Sequence, residues 1–165
     1  MARILGKDGF EKLKVGYPTR SDKYNVEGGV FDGESAEFGD LVVYGTTAGH
    51  YLPITGAVTV DKIAGVILAT NVKLASEPEH KVLTVKGEGF NFLKDGYVAL
   101  KLAKTADTAS IKEGAPVCIK LEDGTLQSKE DTTKVVKLPG YFFTGIWEKK
   151  HNGDIVAEVE VIAVK

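Results

Sequence analysis

Apolar residues along this chain fall in short bursts, each closed by Gly, Pro, Asn or Asp, and within the longer bursts they alternate with polar ones. Alternation of that kind is the two-residue period of a β-strand with one buried face, and the bursts are rich in Val, Ile, Tyr and Phe, which suit a pleated surface. Strands are therefore predicted at residues 41–44, 51–54, 63–70, 82–86, 97–102, 117–121, 125–128, 142–149 and 155–164. In the last of these Ile155, Ala157, Val159, Val161 and Ala163 share one face, while Val156, Glu158, Glu160, Ile162 and Val164 share the other. One face reads as core and the other as half wet. Asp123-Gly124 and His151-Asn152-Gly153-Asp154 sit where hairpin turns belong, and Lys94-Asp95-Gly96 reads as a further turn. Helical signals are sparse. Phe10 and Leu13 suit a single turn, residues 103–113 offer Asp107 and Ser110 as caps without an apolar stripe, and Pro139-Gly140 ends the segment at 131–138. The prediction is an all-β fold, a small β-barrel or sandwich.

A phrase in the pattern occurs twice. Gly39-Asp40-Leu41-Val42-Val43 is answered by Ile63-Ala64-Gly65-Val66-Ile67, and Gly114-Ala115-Pro116-Val117-Cys118-Ile119 by Phe143-Thr144-Gly145-Ile146-Trp147. Each half gives a turn glycine, a short strand, an excursion, and a second strand with an interior glycine, so the body is expected to be two related β units. Residues 1–33 are polar and turn-rich with scattered aromatics, and read as an extended N-terminal arm. The body is then 34–165, with sub-units 34–103 and 104–165.

Hydrophobic content of 43%, charged content of 27% and a net charge of −2 are ordinary for a globular chain able to bury its own core. No apolar run reaches the ~20 residues of a membrane helix, and the N-terminal residues lack the apolar stretch of a secretory signal, so manufacture in a cytoplasm is expected. The single cysteine, Cys118, lies in an apolar run and reads as a small core residue. Charge changes the picture more. Residues 1–24 hold six Lys or Arg against three Asp or Glu, whereas residues 25–61 hold Glu27, Asp32, Glu34, Glu37, Asp40 and Asp61 with no Lys or Arg. Such a dipole can steer docking onto a charged partner. With net negative charge and no basic stripe, nucleic acid is a poor partner.

Catalytic patterns are missing from the sequence. His50, His80 and His151 stand in separate turn contexts, there is no nucleophile elbow, phosphate loop or His-Glu-X-X-His, and Gly87-Glu88-Gly89 lacks the third glycine of a dinucleotide fingerprint. Glu34, Glu37 and Asp40 match no standard cation spacing. Trp147 reads as a packing residue beside Phe142, Phe143 and Ile146. No catalytic, metal or cofactor-binding residue is expected, and no cofactor.

The phrases Glu37-Phe38-Gly39-Asp40-Leu41-Val42, Ile63-Ala64-Gly65-Val66, Glu113-Gly114-Ala115-Pro116-Val117, Gly145-Ile146-Trp147 and Gly153-Asp154-Ile155-Val156-Ala157-Glu158-Val159 resemble the capsid cement, or decoration, proteins of tailed bacteriophages over residues 27–165. The resemblance implies a non-enzymatic β-rich protein that binds the outer capsid surface in the virion, often as a homotrimer, and clamps neighbouring major capsid subunits. Under that implication Tyr17, Tyr24, Val30 and Phe31 are arm anchors, and Arg20 and Lys23 meet acidic capsid loops. The alternative expectation is a carbohydrate- or receptor-binding module of a phage head fibre or spike, using Tyr44, Tyr51 and Tyr141.

Overall fold

The structure is a computed structural model that describes residues 13–57, 59–69, 84–131 and 133–163. Its strands are β1 (Tyr24–Phe31), β2 (Ser35–Ala36), β3 (Leu41–Tyr44), β4 (His50–Pro53), β5 (Ile63–Ile67), β6 (Thr84–Val85), β7 (Gly89–Leu102), β8 (Pro116–Lys120), β9 (Leu126–Gln127), β10 (Val135–Lys149) and β11 (Ile155–Val161). Among the described residues there is no α-helix, only one-turn 3₁₀ segments at Val60–Lys62 and Thr108–Ser110. The second of these is capped as the sequence suggests, with the Asp107 carboxylate accepting from the Ala109 amide.

Nine strands form one continuous sheet in the order β1-β4-β3-β5-β7-β11-β10-β8-β9, and β1 also pairs with β7. That extra pairing closes β1, β4, β3, β5 and β7 into a five-stranded barrel, so the fold is a barrel rather than a sandwich. Its interior is the aromatic cluster of Phe31, Tyr51, Phe90 and Phe92 with Val42, Ala64 and Ile67. The second core, built on Val98, Leu100, Leu102, Val117, Ile119, Phe143, Ala157 and Val159, fills the curve of β7, β11, β10, β8 and β9 and reaches back to Leu41, Val66 and Leu93.

The repeat is visible in backbone hydrogen bonds. Gly39 N–H donates to Ile67 O and Ile67 N–H to Asp40 O at 2.8 and 2.9 Å; Gly114 N–H donates to Phe143 O and Phe143 N–H to Ala115 O, both at 2.8 Å. Val30 N–H donates to Gly49 O at 2.9 Å where β1 meets β4, and Ala103 N–H donates to Leu126 O at 2.9 Å where the end of β7 meets β9. Each pair of equivalent groups is separated by about 75 residues. The second unit therefore curls in the same way as the first, with the C-terminal half of β7 taking the place that β1 holds in the first.

Three expectations change on this evidence. Residues 24–31 are a strand of the first barrel, running antiparallel to β7 from Tyr24↔Gly96 to Val30↔Gly89, so the body begins well before residue 34. Lys94-Asp95-Gly96 is no turn: β7 runs through it, and near Gly96 β11 takes over from β5 on one edge while residues 16–19 take over from β1 on the other, which places the junction of the two units inside β7 rather than at 103/104. Pro139-Gly140 ends nothing, because β10 continues through it at a register shift against β8, where a missing proline N–H costs no ladder bond. The sequence alignment of Gly65 with Gly145 also fails. Gly145 has φ +86° and forms a bulge in β10, whereas Gly65 has ordinary backbone angles and lies against β7.

A Cβ at Gly65 would stand 2.3 Å from the Leu93 carbonyl oxygen, a backbone atom of the neighbouring strand. Gly65→Ala is expected to destabilise the protein by about 1–3 kcal/mol, the usual cost of overpacking a filled core. Denaturant unfolding measures it, and a midpoint equal to that of the wild type would refute the close-approach argument.

Candidate partner-binding surface

The chain from Leu13 to Tyr24 lies across the β7-β11-β10 sheet. Leu13 is 1% exposed and packs on Ala99 and Val156, with Val15 and Ile146 beside them. Its N–H donates to Glu148 Oε1 at 3.0 Å and its carbonyl accepts from Lys150 Nζ at 2.6 Å. Gly16 N–H donates to Ala99 O, Ala99 N–H to Tyr17 O and Thr19 N–H to Tyr97 O, so the segment adds itself to the edge of β7. This cover explains the outward face of β11. Glu158, read from sequence as half wet, is fully buried.

A buried carboxylate needs a counter-charge. Arg20 supplies it, donating through Nε and Nη2 to Glu158 Oε1 while its guanidinium lies 4.2 Å from the centre of the Tyr97 ring. Burial pushes the Glu158 carboxyl up, but hydrogen bonding and the charge of Arg20 outweigh it and hold the group below its usual range. Lys23 bridges Asp95 at 2.9 Å and Glu160 at 3.2 Å, and these bonds raise its ammonium.

The six residues expected to anchor a free arm are thus divided. Phe31 is completely buried in the first barrel, Val30 is a half-buried member of β1, and Tyr17 is half-buried beside β7, with Lys14 over its ring. Arg20 and Lys23 are engaged by carboxylates of their own chain. Only Tyr24, 53% exposed, faces solvent freely. Sequence reasoning missed this because nothing local to Arg20 shows a partner 138 positions away.

Other apolar side chains stand open instead: Tyr44, Leu52, Trp147 and Ile162. Trp147, expected in the core, is 40% exposed; it pairs with Ala157 just beyond the β10 bulge, where residues 144–146 oppose the single Glu158 of β11. Tyr51 and Tyr141, two of the three aromatics of the sugar-binding alternative, are buried. Cys118 is buried as expected. His50 Nδ1 meets Asp32 Oδ2 at 2.9 Å at the end of β4, and among the described residues no three His, Cys, Asp or Glu side chains converge as a cation site.

Open troughs mark the described surface, and two of them bear on a partner. One, of about 620 Å³, is lined by Phe142, Ile146 and Ile162 with Arg20, Glu113 and Glu160. The other, of about 680 Å³, crosses the outside of the first barrel over Val43, Leu52, Pro53 and Ile54, with Asp32, Glu34 and Asp40 along its rim.

A family model for the structural cement protein (E217 gp24/Pam3 gp6) of phages matches residues 7–162. Among solved structures, a chain from the capsid of Myoviridae phage XM1 superposes with a TM-score of 0.67 at 16% identity, over 96% of this chain and 96% of that one, a likeness of fold. No curated protein matches in sequence.

Replacing Glu158 by Gln leaves Arg20 without its counter-ion and is expected to cost about 2 kcal/mol, below the figure for a fully enclosed pair because the Arg20 side chain is 38% exposed. The pH dependence has a definite sign. The folded carboxyl titrates below its ordinary value of 4.5, so its contribution is complete above that value and is lost as pH falls through the lowered one. Unfolding midpoints taken between about pH 6 and pH 3 should therefore fall more steeply for the wild type than for Glu158→Gln. Parallel curves would remove the carboxylate from the account.

Proposed function

The chain belongs to the phage structural cement protein family, and from that membership we propose that it binds the outer surface of a phage capsid and stabilises the contacts between major capsid subunits. The observation that carries the reading is the family match across residues 7–162. The fold suits the task. A cement lowers the free energy of the assembled lattice relative to its dissociated parts, and many copies of a modest interface sum to a large effect. Each copy must transmit force without deforming, and two strand-sharing units locked by the 13–24 segment make a stiff body. Exposed Tyr44 and Leu52 supply apolar contact area on the first unit. No bond is made or broken in such a role, and the reading is non-enzymatic. A homotrimer goes with it, and light scattering on the purified protein measures that.

The test adds purified protein to expanded shells of the same phage that lack it. Saturable binding and a higher temperature of capsid disruption are expected; shells that neither bind the protein nor gain stability would overturn the proposal. Deleting residues 1–26 is not a usable probe of the contact, since it removes Arg20 from Glu158 and shortens β1.

A further inference from the structure

The trough over β3 and β4 has an internal control. Val43 faces Leu52 on β4 and Ile63 on β5 across the ladder. At the same place in the second unit Cys118 faces Gln127 on β9 and Lys137 on β10. The three positions correspond at the repeat's spacing of about 75 residues. In the second unit this outer face carries polar side chains around a cysteine that is 1% exposed. In the first it is apolar, and Leu52 is left 38% exposed. The fold of the repeat therefore does not require an apolar side chain at Leu52, and leaving one in water gains nothing for the isolated protein.

Charge restricts what can cover it. Asp32, Glu34 and Asp40 line the trough together with a single cation, Lys62. Asp32 is held by His50, and the Asp40 carboxylate accepts from the Glu37 amide. Glu34 is exposed and makes no ion pair among the described residues. The surrounding sequence compounds this, since residues 25–61 carry six carboxylates and neither Lys nor Arg. An anionic occupant would meet a like charge at Glu34, at a cost of several kcal/mol, and a purely apolar one would desolvate that carboxylate.

We propose that this trough is the capsid-docking groove, and that it receives an extended segment of the major capsid protein bearing Lys or Arg next to an apolar side chain. The proposal rests on the cement reading and names the partner chemistry of one face. The apolar side chain covers Val43 and Leu52, and the cation sits against Glu34 and Asp32. Trp147 and Ile162, exposed on the other unit, remain outside the contact.

Binding of the full-length protein to expanded shells lacking it is measured at several salt concentrations for the wild type, Leu52→Asp, Glu34→Lys and, as a control on the other unit, Trp147→Ser. Leu52 and Glu34 are exposed, so both groove variants should keep the wild-type unfolding midpoint. Leu52→Asp should weaken binding about tenfold or more, by loss of apolar burial and a charge placed in the contact. Glu34→Lys should weaken it on the order of tenfold at low salt and flatten its salt dependence, as a rim charge does. Trp147→Ser should bind like the wild type. If the wild type binds and both groove variants bind equally well, the groove is overturned while the cement reading stands. If only Leu52→Asp is affected, the basic character of the partner is overturned. A failure of the wild type to bind brings down the cement reading and the groove with it.

Discussion

One fourteen-residue strand, β7, has to serve two units at once. Its N-terminal half receives β1 and helps to close the first barrel; its C-terminal half pairs with β11 and reaches Leu126 through Ala103, as β1 reaches Gly49 through Val30. A strand can change partners along its length only where its edges are free to do so, and the exchange falls at Gly96, whose φ of +142° few other residues adopt. Because β7 cannot move in one unit without moving in the other, the two share their rigidity.

The constraint also accounts for the covered sheet face. Near residues 97–99 the edge of β7 is no longer occupied by β1, and an open edge invites unwanted pairing. The chain just before β1 fills it, with Pro18 bridging Val98, and carries Leu13 and Arg20 over the neighbouring strands. Once that face is closed, the alternation of β11 places Glu158 in a dry environment. Arg20 is then a structural necessity of the sheet, and its stacking on Tyr97 fixes the guanidinium where the carboxylate needs it.

What could be read from sequence divides along the same line. Short strands, the hairpins at Asp123-Gly124 and Gly153, and the turn glycines Gly39 and Gly114 are local features, and they stand where the pattern put them. The duplication was also legible at Gly39 and Gly114, because a turn glycine repeats its conformational requirement along with its sequence. It was misaligned at Gly65 and Gly145 since one glycine answers a close strand approach and the other a bulge, and sequence writes both as the same letter. The assignment of residues 24–31 to an arm failed because β1 has few apolar residues. Its Gly29 makes room for the Tyr51 ring, Val26 only packs against the second core, and Phe31 at its end is the one fully buried residue of the strand. Long-range partners such as Glu158 for Arg20 leave no trace in local pattern at all.

Duplication gives a protein two copies of each surface and lets one of them change. Where the second unit keeps Cys118, Gln127 and Lys137, the first carries Val43, Leu52 and Ile63, and the acidic residues of the β1-to-β3 connection flank that apolar strip. Ile63 packs against the second core, but Leu52 belongs to neither, so an apolar side chain at Leu52 lies outside the requirements of folding. Under the proposed docking, a strip carried on two units that share β7 would lose little entropy on binding, so more of its contact energy would reach the lattice.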